Sequence, residues 1–135
     1  MRLVLVGWGA IGAEVARLLA ETHAPVDLVG IGLRNADRLL PAPAITSPAD
    51  LAALRPDLVV EAAGRAAVLP WGQAALQAGA DFAPASTSAF AEDGALDQLL
   101  ALARANGRQV LIPPGALGGM DAALSPLCCQ APCLR

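Results

Sequence analysis

A short apolar strand followed at once by three spaced glycines most constrains the fold of this 135-residue chain. The strand is predicted over Arg2–Val6, and Gly7, Gly9 and Gly12 form the pattern G-x-G-x-x-G directly after it. The first glycine permits a tight turn, the second lets the backbone approach a pyrophosphate, and the third lets the next helix pack closely. A helix beginning near Ala10 aims its free N–H groups and positive dipole end at the phosphates. The pattern predicts a dinucleotide-binding turn, and a purely structural glycine turn is the alternative.

Predicted strands and helices alternate along the rest of the chain. The predicted strands are Arg2–Val6, Val26–Leu33, Leu58–Glu61, Ala80–Ala85 and Gln109–Ile112; the predicted helices are Ala10–Glu21, Ser47 to about Leu54, Ala66–Ala78 and Glu92–Asn106. This alternation implies an α/β fold, a Rossmann-like doubly wound parallel sheet with right-handed crossovers. Ligands of such sheets bind at the carboxyl ends of the strands. The loops expected at that edge begin at Gly7, Arg34, Ala62, Ala85 and Pro113.

Composition excludes several classes of protein. The chain is 56% hydrophobic and 16% charged, which suits one domain with a buried core. All nine basic residues are arginines and tyrosine is absent, so a Walker-type phosphate loop, a lysine Schiff base and a Tyr/Lys proton relay are excluded. A net charge of −3 without a basic run argues against nucleic-acid binding. The apolar runs are too short to span a membrane, and no signal peptide is recognised, so a cytoplasmic location is expected.

The end of the second predicted strand bears on which dinucleotide is bound. NAD-selective domains carry an acidic residue here, which binds the ribose hydroxyls. This chain instead has Gly32-Leu33-Arg34-Asn35, with Arg38 one turn further on. Because arginine favours a 2′-phosphate by charge and by paired hydrogen bonds, Arg34 indicates that NADP is accepted or preferred. Alternatively, Arg34 is a solvated loop residue or stacks on the adenine, and NAD binds as well.

Two further segments are candidate parts of the site. Glu61-Ala62-Ala63-Gly64 ends a strand, and its small residues either let a cofactor approach or pack a helix start. Glu61 itself is expected to accept hydrogen bonds from loop N–H groups rather than act as a catalytic carboxylate. A second glycine-rich loop, Gly115–Gly119, either brings backbone amides to a ligand or is a flexible connector. His23, the single histidine, is expected to stabilise the end of the first helix.

Three segments together resemble the L-aspartate dehydrogenase family, which belongs to the wider aspartate/homoserine dehydrogenase group. They are Gly7–Gly12 (GWGAIG), Val59–Gly64 (VVEAAG) and Pro114–Asp121 (PGALGGMD). The last is the most specific, and the resemblance covers about residues 1–124. It implies an oxidoreductase that transfers a hydride from the α-carbon of L-aspartate to NAD or NADP. The iminoaspartate that forms is released as oxaloacetate and ammonia or passed to NAD biosynthesis.

The resemblance also implies roles for individual residues. The implied cofactor contacts are Gly7, Gly9, Ala10, Ile11 and Gly12 at the pyrophosphate, Arg34 at the adenosine ribose or its phosphate, Ala62, Ala63 and Gly64 along the cofactor, and Ala116 near its reactive end. The family's catalytic histidine and substrate domain lie beyond this chain, so no catalytic residue is assigned. No metal ligand is assigned either. The second domain of the family supports oligomerisation, so a homodimer is the assembly considered.

The sequence divides into a dinucleotide-binding domain over 1–124 and a tail over 125–135. The domain comprises a core over about 1–112 and a glycine-rich connector over 113–121, and the second domain of the family is largely absent. Where the family has Ser-x-Gly-Ala, this chain has Ala83–Ala89, so that loop geometry is not carried over. The tail contains Cys128, Cys129 and Cys133 without the partner pair of a zinc site. Its abrupt composition indicates an out-of-frame or prematurely ended reading frame, or else a genuine short tail with reduced thiols.

Three functions stay open at this point. The first is an L-aspartate dehydrogenase represented by its cofactor domain, which binds NADP or NAD but turns over little or no substrate. Turnover requires groups that fix both substrate carboxylates and accept a proton, and the sequence offers no such set. The second is a homoserine dehydrogenase-like enzyme. The third is a non-catalytic, stand-alone dinucleotide-binding module.

Overall fold

The computed structural model describes residues 1–35, 39–91 and 94–113. Within these ranges the chain forms five β-strands, four α-helices and two short 3-10 helices. The strands are β1 (Arg2–Val6), β2 (Asp27–Gly32), β3 (Ala44–Ile45), β4 (Leu58–Glu61) and β5 (Asp81–Pro84). The α-helices are α1 (Ala10–Glu21), α2 (Leu51–Leu54), α3 (Arg65–Gln77) and α4 (Ala95–Asn106), and the 3-10 helices are Pro48–Asp50 and Thr87–Ala91.

The five strands form one parallel sheet in the order β3-β2-β1-β4-β5. Leu5 of the central β1 pairs with Ile31 on one side and Val60 on the other. The chain moves outward through α1 to β2 and the opposite way through α3 to β5, so right-handed crossovers place these helices on opposite faces. The predicted Rossmann-like doubly wound sheet is confirmed. Strand order reverses between β1 and β4, which is where such sheets bind ligands.

The main hydrophobic core lies between the sheet and the helices α3 and α4. It includes Val4, Val6, Val59 and Phe82 from the strands and Val68, Trp71, Ala75, Leu76, Leu99 and Ala103 from the helices. Gly72 lets α3 approach β5 closely, because a Cβ there would lie 2.7 Å from Cε1 of Phe82 and 2.9 Å from Cδ2 of Leu99. This packing fixes where the amino end of α3 meets the edge of the sheet.

Local signals explain where several helices begin and end. The side chain of Ser47 accepts a hydrogen bond from the N–H of Ala49 (3.3 Å) and caps the 3-10 turn that leads into α2, as the Ser-Pro-x-Asp pattern predicts. Gly107, with φ of +62°, ends α4 in the left-handed conformation that glycine adopts readily. This helix begins at Ala95, whereas its start is predicted at Glu92; residues 92 and 93 lie outside the described ranges.

The predicted strand Gln109–Ile112 is wrong, since this segment makes a single parallel bridge to β5. The N–H of Phe82 donates to the carbonyl oxygen of Gln109 (3.0 Å), and the N–H of Leu111 donates to the carbonyl oxygen of Phe82 (2.8 Å). The next donors of a parallel ladder would be the N–H groups of residues 84 and 113. Both are prolines, which have no N–H, so the pairing stops after one rung.

Candidate functional site

A wide groove of about 800 Å³ lies along the carboxyl ends of β1, β2 and β4, across the reversal in strand order. Six of the predicted cofactor residues line it: Gly7, Gly9, Arg34, Ala62, Ala63 and Gly64. Ala10, Ile11 and Gly12 form the first turn of α1 directly beside it, and Ala116 lies outside the described residues. The structure thus brings the glycine loop, the arginine after β2 and the small residues after β4 into one site.

A second, shallower groove of about 500 Å³ borders β4 and β5. Its lining is Val60, Ala83, Ala85, Val110, Leu111, Ile112 and Pro113. The loops beginning at Ala85 and Pro113 border this groove, and they follow segments parallel to β4 at the carboxyl edge of the sheet, as predicted. No described lining residue carries a polar side chain, so this groove offers a dinucleotide nothing to bind its phosphates or ribose hydroxyls.

Two of the three motif glycines are required by the protein's own packing. Gly7 has φ of +100°, and a Cβ there would lie 2.6 Å from the carbonyl oxygen of Ala62. A Cβ at Gly12 would lie 2.2 Å from the carbonyl oxygen of Gly7. Both distances are far inside van der Waals contact. The tight turn expected at the first glycine and the close packing expected at the third are confirmed.

Gly9 differs from the other two, because its own protein surroundings do not require a glycine. Its φ of −87° is accessible to any residue, and a Cβ there would have no atom of the described residues within 4 Å beyond its two chain neighbours. The open space in front of it adjoins the groove. A methyl group at Gly9 would occupy that space, so this glycine preserves room for something other than the described protein atoms. Open space at this glycine is what the backbone approach of a pyrophosphate requires.

The amino end of α1 faces the same space without a side-chain cap. Gly9 is its N-cap residue and makes no side-chain cap hydrogen bond, and the N–H of Ala13 donates to the carbonyl oxygen of Gly9 (3.0 Å). The N–H groups of the residues before Ala13 precede the helical ladder and have no acceptor within it. Together with the helix dipole they favour an anion at this point.

The charged groups that line the groove are both cationic. Arg34, exposed just beyond the end of β2, and Arg65, the first residue of α3, line it, and no described lining residue is acidic. Arg65 also has a contact within the protein. Thr46 and Asn35 add neutral polar groups close to Arg34 in the lining. This balance of charge favours a polyanionic ligand.

Glu61 ends β4 and is fully buried. Its Oε1 accepts hydrogen bonds from the N–H groups of Ala63 and Gly64 (2.7 Å each) and from the hydroxyl of Ser86 (3.0 Å). Its Oε2 accepts from the N–H of Ser86 (3.2 Å). The prediction that Glu61 binds loop N–H groups is confirmed. A carboxylate this enclosed has no exposed atom to offer a substrate.

The groove has no obvious proton acceptor among its described residues. No His, Asp, Glu or Cys side chain lines it. His23 is exposed beyond the end of α1 and outside the groove lining, with Nδ1 3.0 Å from the carbonyl oxygen of Glu21. Among residues 1–35, 39–91 and 94–113, no three His, Cys, Asp or Glu side chains are grouped to hold a metal ion. Nor does any helix in those ranges have the length and apolarity needed to cross a membrane.

Trp71, Thr46 and Arg65 are among the groove residues that sequence analysis misses. Trp71 lies beneath its β2 side, where a Cβ at Gly32 would meet the indole at 2.8 Å. Thr46 reaches the site through β3, which is too short to carry a strand pattern. Arg65 has a usable signal, since it follows Gly64 at a turn from strand to helix, where ligands of such sheets bind.

Comparison with known proteins agrees with this geometry. The family model described as the NAD-binding domain of homoserine dehydrogenase matches residues 7–113. The chain belongs to this family. This NAD-binding domain is 55% identical over 126 residues to the L-aspartate dehydrogenase of Brucella anthropi, which covers 89% of the chain and 47% of that relative. It spans about half the length of the curated relatives that it matches.

Solved structures share the fold of this NAD-binding domain. An aspartate dehydrogenase from Thermotoga maritima superposes with a TM-score of 0.72 at 23% identity, over 93% of this chain and 50% of the other. An engineered D-amino acid dehydrogenase bound to NADP+ superposes with a TM-score of 0.73 at 22% identity, over 94% of this chain and 41% of the other. At these identities the likeness is one of fold.

Proposed function

We propose that this NAD-binding domain is the cofactor part of an L-aspartate dehydrogenase, extending to about residue 124 with a connector over 113–121. The observation that carries the proposal is the 55% identity to an L-aspartate dehydrogenase across 126 residues. Within that match lies a groove with two arginines and an uncapped helix terminus. A bound nicotinamide dinucleotide supplies the hydride acceptor for the oxidation of the α-carbon of L-aspartate.

The residues of the groove would hold this cofactor in a defined order. The pyrophosphate would lie against Gly7, Gly9 and the N–H groups of Ala10, Ile11 and Gly12. The adenosine ribose would lie towards Arg34, and Ala62, Ala63 and Gly64 would line the opposite side of the groove. Ala116 would contact the reactive end of the cofactor. Since Arg34 rather than an acidic residue follows β2, NADP is accepted or preferred.

Binding and turnover are separate parts of the proposal. The 135-residue chain is expected to bind NADP+ but to oxidise L-aspartate at a negligible rate. Oxidation of an amine needs groups that fix both substrate carboxylates and accept a proton, and the described lining supplies no His, Asp, Glu or Cys side chain to accept that proton. L-Aspartate is thus the proposed substrate of a longer protein, and a homodimer is the proposed assembly.

Isothermal titration calorimetry of the purified chain tests the cofactor assignment. Saturable binding of NADP+, weaker binding of NAD+ and competition between them are expected. No binding of either refutes the assignment. Aspartate-dependent formation of NADPH by the 135-residue chain at an ordinary enzymatic rate would refute the predicted lack of turnover.

A homoserine dehydrogenase-like activity is the second candidate, because the matching family model carries that description. The curated relatives at 34–55% identity are instead named L-aspartate dehydrogenases. A chain extended to the length of these relatives, assayed with L-aspartate and L-homoserine, distinguishes the two. Oxidation of homoserine alone would favour the second candidate.

A further inference from the structure

We infer that Glu61 is a positioning residue for the dinucleotide: its buried carboxylate ties the loops after β4 and β5 together and sets residues 62–64 against the glycine loop. This inference rests on the function proposed above. Glu61 accepts four hydrogen bonds, two from the segment that enters α3 and two from Ser86. The first pair of donors belongs to Ala63 and Gly64, which line the groove.

The tied segment forms one wall against which the glycine loop turns. The N–H of Ala62 donates to the carbonyl oxygen of Val6 (2.7 Å), and the carbonyl oxygen of Ala62 lies 2.6 Å from the Cβ position of Gly7. Residues 62 and 63 therefore lie closer to the backbone of Gly7 than any side chain there would allow. A change in this wall therefore shifts either the groove width or the glycine loop itself.

The carboxylate also distinguishes the two helix ends that face the groove. Two helices, α1 and α3, begin beside the groove. At α3, the N–H groups of Ala63 and Gly64 already donate to Glu61, and its negative charge offsets the positive end of the dipole. The N-cap residues of both helices, Gly9 and Gly64, make no side-chain cap hydrogen bond, so the two ends differ in the carboxylate that lies beside α3. The charge of Glu61 therefore makes the amino end of α3 less favourable to an anion than that of α1.

Glu61→Gln tests the inference with little change of shape. The remaining side-chain oxygen can still accept hydrogen bonds. The new NH₂ group, however, faces either the N–H of Ser86 or the N–H groups of Ala63 and Gly64, and none of these can accept a hydrogen bond from it. Hydrogen–deuterium exchange at residues 63, 64 and 86 is expected to become faster. The Kd for NADP+, measured by calorimetry well below the unfolding midpoint, is expected to rise about tenfold.

Asp57→Asn is the matched control at the opposite end of the same strand. Oδ2 of Asp57 accepts from the N–H of Arg2 (2.6 Å), so this variant also removes a carboxylate that holds a backbone N–H. It is expected to leave the Kd for NADP+ unchanged, because its loop lies at the amino edge of the sheet. An equal loss of affinity in both variants would assign the effect to general destabilisation and overturn the inference.

The remaining outcomes are also decisive. Faster exchange at residues 63 and 64 in Glu61→Gln with an unchanged Kd overturns the inference. If that variant does not fold, Ser86→Ala removes one donor and keeps the carboxylate. It is then expected to raise the Kd two- to threefold, and an unchanged Kd contradicts the inference. Absence of NADP+ and NAD+ binding by the unmodified chain refutes the proposed function itself, whatever the exchange rates of the variants.

Discussion

Gly9→Ala tests whether glycine is required at this position by a bound ligand rather than by the fold. Its backbone φ of −87° suits alanine, and within the described part of the chain the added methyl would meet no atom within 4 Å beyond its two neighbouring residues. Replacing glycine stabilises the chain by roughly 0.4–1 kcal/mol through the unfolded state. Alanine at an N-cap is unfavourable by a comparable amount. The free energy of unfolding should therefore change by less than about 1 kcal/mol.

The same substitution should strongly weaken dinucleotide binding. The methyl group would stand in the space through which a pyrophosphate approaches the α1 terminus. A loss of at least tenfold in affinity for NADP+, or about 1.4 kcal/mol, is expected in calorimetric titrations. Thermal unfolding of the same sample should stay within about 4 °C of the unmodified chain.

Gly12→Ala is the informative counterpart. Its Cβ would lie 2.2 Å from the carbonyl oxygen of Gly7, so the helix or the turn must move by about 1 Å. Overpacking of this kind destabilises by roughly 1–3 kcal/mol, and affinity should fall together with stability. If Gly9→Ala binds NADP+ as tightly as the unmodified chain, the pyrophosphate does not lie at Gly9, and the reasoning fails.

Three further predictions concern the groove, the core and the surface. Arg34→Asp should lower the affinity for NADP+ about 10- to 100-fold, since hydrogen bonds to charged groups contribute about 1.5–3 kcal/mol, and should affect NAD+ much less; equal losses in parallel titrations would argue against a 2′-phosphate contact. Leu99 is a fully buried residue of α4 that lies beside Phe82 at Gly72. Leu99→Ala should lower the free energy of unfolding, measured in urea, by about 2–5 kcal/mol. A change under about 1 kcal/mol would contradict the described packing. The side-chain hydrogen bond from Arg17 lowers the pKa of Glu14. The small stabilisation by this exposed pair is therefore present above the pKa of Glu14 in the unfolded chain. It is lost as the pH falls through the lower pKa of Glu14 in the folded chain. Carboxyl carbon NMR should find that Arg17→Gln returns the pKa of Glu14 upwards, and an unmoved titration would exclude the pair.

The glycine loop and β1 could be predicted from sequence because each relies on neighbouring residues. Gly7 adopts its positive φ in the turn itself, and Gly12 lacks a Cβ because of its contact with Gly7, five residues earlier. Elements specified by distant partners are harder to recognise. The segment after α4 has strand-forming residues, but its pairing is limited by Pro84 and Pro113, which lie on two separate strands of the expected ladder.

The residues of the site likewise fall into those that could be predicted from neighbouring sequence and those placed by distant packing. Arg34 could be identified because the end of the second strand is a known specificity position. Trp71 could not, since its place beneath Gly32 depends on the packing of α3 against the sheet. The hydrogen bonds that Glu61 makes to Ala63 and Gly64 are local and were predictable in kind. Its link to Ser86 depends on the pairing of β4 with β5.

The positions of the two tryptophans make intrinsic fluorescence a probe of the groove. Trp8 and Trp71 are the only tryptophans of the chain, which has no tyrosine, and both line the wide groove. One is half-buried and the other buried, so their emission maxima should differ. Reduced nicotinamide absorbs where indole emits, and its arrival should quench both residues by energy transfer. The intrinsic fluorescence of the whole chain is thus a signal from the groove alone.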